Sequence, residues 1–371
     1  TARRVMAVRL DAIGDVLMTG PAIRALAEGP PAREVTLLTS PGGALVAQLM
    51  PGVTETIVYE PPWMKATPPR GDASHEHAIV ARLAQGRFDA AAIFTVYSQS
   101  SLPAALLCHL ADIPLRLAHS RDKPYGLLTH WVPEPEPERL VRHEVRRQLE
   151  HVATVGARPQ RERLEIEVAS DAREAVKSRL EEAGIGEGRR WVVVHAGSTA
   201  PSRRYPPELW AEVCRLLAGQ DVALVFTGDG QEVELAAQVR AAAGGPGLSL
   251  AGELSLAELA ALLAAAPLLL AGNTGPVHLA AAVGTPVVDL YALTNPQHTP
   301  WQVPAHVLFE DVPCRWCHGS ICREGHHRCL RDVDPRTVAE AALSLLRGEP
   351  APEASLPLGA ASTRGAQSPG R

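Results

Sequence analysis

An aspartate stands directly after a short apolar run near the N-terminus, in Asp11-Ala-Ile-Gly-Asp15. A carboxylate at the end of a strand faces whatever cleft the fold creates, so Asp15 is a candidate general base. Gly14 beside it lets the backbone turn tightly and approach a ligand. The same aspartate is also a good helix cap. Three later loops have the character of an anion site. His195-Ala-Gly-Ser-Thr199 is followed by Arg203-Arg204-Tyr205-Pro206. There the backbone N–H groups of Gly197 and Ser198 and the Arg203 guanidinium suit diphosphate oxygens, although solvated arginines on a plain loop read the same way. Thr227-Gly-Asp-Gly-Gln-Glu232 follows an apolar run. Gly228 ends the strand and Glu232 could accept ribose hydroxyls, but an acid in a first helical turn is explained equally by the helix dipole. Asn273-Thr-Gly-Pro-Val-His278 is the sharpest of the three. It places Thr274 and Gly275 at a helix N-terminus, with Pro276 in the first turn and His278 projecting beside it.

A fifth group is different in kind. Cys314-x2-Cys317-x4-Cys322-x6-Cys329, with His318, His326 and His327 nearby, gathers four of the six cysteines. Its spacing is not that of a zinc ribbon, so a structural zinc site and a reduced Cys/His-rich loop both stay open. Cys108 and Cys214 fall in apolar helical patterns and are expected to be core thiols.

These loops need strands and helices to hold them. Val5–Leu10, Val35–Leu38, Thr56–Tyr59 and Asp89–Phe94 read as strands, with a helix over Leu17–Ala27 and a strand end at Ser40-Pro-Gly-Gly43. Pro61–Ser74 reads as an irregular loop near a site, and Leu140–Val155 as helical. Arg158–Glu165 is polar and suits a linker. A second series follows, with strands at Trp191–His195, Val222–Phe226, Leu268–Ala271 and Pro286–Tyr291. Its helices fall over Pro207–Leu217, after Gly230, and over Leu254–Ala265, Pro276–Val283 and Val338–Leu346. Strands alternating with helices imply parallel sheets covered on both faces, with ligands at the carboxyl ends of the strands. The expected division is residues 1–157, residues 166–347, and a Pro/Ala/Gly/Ser-rich tail at 348–371 expected to be disordered.

Composition excludes several classes. Apolar residues make up 46% of the 371 residues, enough for two cores. A net charge of −5 gives no basic field for nucleic acid. No segment reaches the roughly 18 apolar residues of a membrane span. Thr1–Leu10 lacks a signal-peptide core, so a cytoplasmic protein is expected. No GxGxxG opens either series, which argues against a nicotinamide oxidoreductase.

The order of the motifs is more telling than any one of them. Val8-Arg-Leu-Asp-Ala-Ile-Gly-Asp15 with Pro21-Ala-Ile-Arg-Ala-Leu26, then Val194-His-Ala-Gly197, then Leu250-Ala-Gly-Glu-Leu-Ser-Leu256, then Asn273-Thr-Gly-Pro-Val-His278 with Ala280-Ala-Ala-Val-Gly-Thr-Pro286, resembles the heptosyltransferases of glycosyltransferase family 9. The resemblance runs from about Arg4 to Leu346. It implies the GT-B fold, with two Rossmann-like domains facing a cleft, acceptor in the first and nucleotide in the second. It implies inverting, metal-independent transfer of a sugar, typically heptose from an ADP-sugar, to a glycan or metabolite hydroxyl, with no cofactor required for catalysis. It places Asp15 as general base, Arg203 at the phosphate, Tyr205 where a tryptophan is usual, Glu232 at the ribose, and Thr274 and Gly275 at the diphosphate with His278 following. Asn273 departs from the family, which usually has Asp there. Two other readings share the fold: a sugar-nucleotide epimerase, and a non-catalytic nucleotide-sugar-binding protein.

Overall fold

Short apolar runs bounded by small-residue loops form twelve strands among the described residues, and these segregate into two sheets. The computed structural model describes residues 2–29, 31–64, 67–186, 188–245, 247–351 and Leu356. Most of the 348–371 tail therefore lies outside the described residues.

The first half runs β1 (Arg4–Arg9), α1 (Ile13–Glu28), β2 (Glu34–Thr39), α2 (Pro41–Ala47), β3 (Glu55–Val58), α3 (Ser74–Gln85), β4 (Ala90–Ile93), α4 (Leu102–Leu110), β5 (Leu115–Ser120), β6 (His130–Pro133) and α5 (Glu144–Ala153). The second runs α6 (Ser170–Glu182), β7 (Trp191–His195), α7 (Pro207–Ala218), β8 (Ala223–Thr227), α8 (Val233–Ala242), β9 (Leu248–Ser249), α9 (Leu256–Ala265), β10 (Leu269–Gly272), α10 (Gly275–Val283), β11 (Val287–Leu290), β12 (Ala305–Leu308), α11 (Arg328–Arg331) and α12 (Pro335–Leu346).

Every strand pairing is parallel. The sheets have orders β3-β2-β1-β4-β5-β6 and β12-β11-β10-β7-β8-β9, which is one doubly wound topology used twice. This is the GT-B arrangement. The order reverses between β1 and β4 in one sheet and between β7 and β10 in the other. Crevices open at these points because the neighbouring connections leave to opposite faces. All five residues of β7 are buried, as helices on both faces require. Buried residues of α1 (Val16, Leu17) and α10 (Val277, Ala280) share one core cluster, and the two helices pack together, so the halves meet along them.

Several sequence expectations need correcting. Ser40-Pro-Gly-Gly43 does not merely end a strand: the Ser40 side chain accepts from the Gly43 N–H and starts α2. α3, α4 and α6 are additional helices. α6 buries only Ala172, Val176 and Leu180, a thin stripe at four-residue spacing in an otherwise polar segment. The last two strands at one side of the first sheet, β5 and the edge strand β6, with Arg116, His119 and His130, carry too many polar side chains to read as strands.

Candidate functional site

Asp15 is the third residue of α1, whose cap position is Ala12, so the helix-capping alternative fails. Its carboxylate instead turns toward the gap between the sheets and keeps 19% exposure. Arg9, wholly buried at the end of β1, reaches it with Nη2 at 3.1 Å. The same guanidinium holds Asp11 Oδ2 at 2.9 Å through Nε and Glu144 Oε1 at 2.7 Å through Nη1. One cation thus anchors three carboxylates. Burial pushes Asp15 above the usual carboxylate range, against the opposing pull of Arg9 and Arg203 and with a push from Glu144. Asp11 is lifted by burial to about 6, with Arg9 opposing. Glu144 goes the other way: burial alone would raise it, but Arg9 and Arg147 carry it down to about 2. A carboxylate with a raised affinity for protons, facing a cleft, is suited to taking one.

Gly14 has a role other than the tight turn. It sits inside α1, and a Cβ built on it would lie 2.6 Å from Cδ2 of His278. The glycine is what lets α10 of the second half approach α1 of the first. His278 is buried, and burial holds its imidazole well below the usual pKa, so it is neutral. Its ring lies 6.2 Å from that of His298, whose Nε2 is 3.8 Å from Asp15 Oδ1. Burial lowers His298 to about 3, so this contact is not an ion pair at neutral pH.

Thr274 caps α10 in extended conformation with Gly275 and Pro276 opening the helix. At this terminus Val277 N bonds Thr274 O at 3.1 Å, and the Gly275 N–H has no partner within the helix. Arg203 spends Nη1 on the Asn273 carbonyl at 3.4 Å, while its Nε has no protein partner. Guanidinium and helix terminus are therefore side by side, with donors left for an anion.

Asn273 also braces the neighbouring backbone. Its Oδ1 accepts from Ala292 N at 3.1 Å and its Nδ2 donates to Ala292 O at 3.3 Å. Both faces of the amide hold the loop after β11, and a carboxylate could not make the second bond. The Asn in place of Asp thus fixes the backbone under the site.

Glu232 lies just before α8. Its Oε2 accepts from Asp229 N at 3.0 Å and sits 3.4 Å from His195 Nε2. A Cβ on Gly197 would fall 2.1 Å from the Glu232 carboxyl carbon, so Gly197 makes room for it, and Gly228 also abuts the Glu232 side chain. Ser198 is buried. Its hydroxyl contacts Ala200 at 3.3 Å and its carbonyl accepts from Arg204 Nε at 2.7 Å, so it shapes the loop. Tyr205 is a core residue, donating to Val333 O at 2.8 Å.

Glu144 and His298 could not be found from local pattern. They belong to a seam where Glu144 N donates to Gln297 O at 3.0 Å, Gln297 Nε2 donates to Arg142 O at 3.0 Å, and His143 Nε2 meets Thr299 O at 2.9 Å. The available signal for Arg9 was a charge in an otherwise apolar strand.

The four clustered cysteines are free thiols, three in an irregular segment and Cys329 in α11. Cys314 Sγ lies 3.7 Å from His326 Nε2, and Cys329 packs against the core of the second half. Among the described residues no three His, Cys, Asp or Glu side chains are arranged to hold a metal ion. The segment covers the gap: His318 Nε2 is 3.0 Å from the Tyr97 hydroxyl of the first half, and Ser202 donates to Gly319 O at 2.6 Å. Cys108 and Cys214 are buried core thiols, as expected. No described helix is long and apolar enough to cross a membrane.

A carboxylate on one doubly wound unit facing Arg203 and a helix N-terminus on another defines an α/β protein of two parallel sheets with a candidate ligand site between them. The particular family follows from comparison. Residues 77–327 match the model of glycosyltransferase family 9 (heptosyltransferase), and the chain belongs to that family. Lipopolysaccharide heptosyltransferase 2 of Escherichia coli is 29% identical over 156 residues, 41% of this chain and 45% of that protein. The chain spans about half the length of the first such curated relatives it matches. The crystal structure of a family 9 glycosyl transferase from Veillonella parvula superposes with a TM-score of 0.77 at 22% identity, covering 94% of this chain and 98% of that one. Escherichia coli heptosyltransferase WaaC, solved with ADP-2-deoxy-2-fluoro heptose, gives a TM-score of 0.61 at 19% identity over 93% of this chain and 99% of that one.

Proposed function

We propose that this chain is an inverting glycosyltransferase that moves a sugar, heptose by family analogy, from an ADP-linked donor to a hydroxyl of a glycan or metabolite. The observation that carries this reading is Asp15, open to the gap and opposed by Arg203 and the N-terminus of α10. The ADP-sugar seen with WaaC supports the donor class, and the heptosyltransferase names of the curated relatives support heptose and a lipopolysaccharide-type acceptor. A cytoplasmic site of action accords with use of a nucleotide sugar.

In this mechanism the Asp15 carboxylate accepts the proton of the acceptor hydroxyl. The hydroxyl oxygen forms its bond to the anomeric carbon from the face opposite the nucleotide. The bond from that carbon to the diphosphate oxygen breaks, and its electron pair leaves on the diphosphate. Arg203, the amides at Thr274 and Gly275 and the α10 dipole stabilise that charge. Glu232, braced by His195 and Gly197, is placed for the ribose. Positive charge for the leaving group comes from the protein, so treatment with a chelator is expected to leave turnover unchanged, and its loss would overturn metal independence.

Arg203→Ala is expected to weaken ADP binding by about 10- to 100-fold, the worth of charge-assisted hydrogen bonds. Calorimetry with ADP measures this, and unchanged affinity would place the diphosphate elsewhere. Gly14→Ala is expected to lower kcat/KM by about 10²-fold by forcing α10 off α1, since a 1 Å misplacement has that effect. ADP release from an ADP-sugar with acceptor present reads it, and full activity would show that the close approach is not needed.

A further inference from the structure

His298 stands on the loop between β11 and β12, in the second half, and its ring faces Asp15 of the first half. The loop is held from both sides. The His298 N–H donates to the Tyr291 hydroxyl at 3.2 Å, and that hydroxyl donates to Asn295 O at 2.5 Å. The flanking residues Gln297 and Thr299 carry the seam bonds to Arg142, His143 and Glu144 of the first half. The ring is thus fixed in place beside the carboxylate. Its Nε2 is buried and has no hydrogen-bond partner among the described residues. A buried polar atom left unpaired is destabilising, so it calls for a partner that forms in another state of the site.

We infer that His298 is a positioning residue for Asp15: in the complex with donor and acceptor its Nε2–H donates to Asp15 Oδ1, holding the carboxylate ionised and turned toward the acceptor hydroxyl. The inference rests on the transferase reading above and adds a residue to that same site. Three observations carry it. First, Nε2 is 3.8 Å from Oδ1. A shortening of about 1 Å brings the pair into hydrogen-bond range. Catalytic hydrogen bonds often tighten only in the complex with substrate. Second, the charges around the ring fix its proton. Asp15 faces it from α1, Glu144 from α5 with His143 at the cap, Arg9 from β1, Arg203 from ahead of α7, and His278 from α10. Burial, Arg203, Arg9 and His143 keep the imidazole uncharged against the pull of Glu144. A neutral imidazole carries one N–H. A lone pair on Nε2 would meet the Asp15 oxygen with repulsion, so the proton sits on Nε2. Third, Asp15 can take the bond. Its Oδ1 has a second lone pair beside the one that meets Arg9 Nη2 at 3.1 Å. A second donor there opposes the burial that raises Asp15, so the base is charged when the hydroxyl arrives. Base and donor come from different halves, so the bond also couples proton transfer to their closure.

The test uses the full chain and follows ADP release from ADP-heptose against pH, with lipopolysaccharide lacking heptose as acceptor and, separately, with water alone. ADP affinity is measured by calorimetry in parallel. His298→Phe keeps a ring and removes the donor. It is expected to move the acidic limb of kcat/KM upward by about one pH unit and to lower kcat/KM near neutral pH about tenfold, the worth of one hydrogen bond to a charged group. ADP affinity is expected to be unchanged. The sign follows from Asp15: without the donor its carboxyl keeps its proton to higher pH, and only the ionised form can accept another. His298→Gln, whose side-chain amide presents an N–H near the place of Nε2, is expected to restore the limb and most of the rate. If His298→Phe does not fold, His298→Ala gives the same readout. A wild-type acidic limb in the variant without a donor, an equal loss in His298→Gln, or a loss of ADP affinity would each overturn the assignment while leaving the transferase standing. Absence of ADP release by the wild type with both acceptors would instead remove the transferase reading.

Discussion

Asp15→Asn is expected to lower transfer by about 10²- to 10⁴-fold, the usual worth of a positioned general base, with ADP affinity within about twofold of wild type. The asymmetry follows from placement. Asp15 belongs to α1 of the first half, whereas the groups assigned to the diphosphate belong to the second. The amide keeps the shape of the carboxylate and can still meet Arg9 through its oxygen, so the three-carboxylate cluster loses one charge without losing packing. What it cannot do is accept a proton. Single-turnover transfer from an ADP-sugar, with ADP binding measured in parallel, separates the two effects. Transfer at the wild-type rate would remove Asp15 from the base role, and a parallel collapse of ADP binding would mean that the two halves do not divide the work as described.

The second large effect is structural. Glu144 is wholly buried, and its Oε1 accepts from both Arg9 Nη1 and Gln148 Nε2 at 2.7 Å. Glu144→Gln takes away charge-assisted hydrogen bonds while Arg9 keeps Asp11 and Asp15, so it is expected to lower the unfolding free energy by about 1.5–3 kcal/mol. The pH dependence has a definite sign. Glu144 is brought to about 2 in the folded protein from an ordinary value of 4.5. Its contribution is therefore complete above the unfolded value and is lost as pH falls through the folded one. The gap in urea midpoint between wild type and variant should be constant above about pH 5 and shrink between pH 4.5 and pH 2. A gap that does not change over that window would show that the carboxylate charge is not its source.

The parts of the site that were legible in the sequence are those that local chemistry makes. Thr274, Gly275 and Pro276 announce a helix start, and Asp15 announces a polar group near the turn that follows a strand, because each depends only on its neighbours. The reason for Gly14 was not legible, since it lies in a ring 264 positions later in the chain, at His278. The bonds of the Asn273 amide to Ala292 were not legible either. Nothing in the spacing of a loop says which way its side chains turn.

Alternating apolar runs and small-residue loops were enough to determine two parallel α/β units, the strand ends where ligands gather, and an anion-binding helix terminus in the second unit. These are effects of a few consecutive residues on backbone geometry. Tertiary structure alone decided which charges share a buried space. Arg9 and Glu144 are 135 positions apart, and they meet only because α5 packs on α1. That pairing fixes how readily Asp15 holds a proton, because burial and neighbouring charge are properties of three-dimensional packing and leave no periodic trace along the chain.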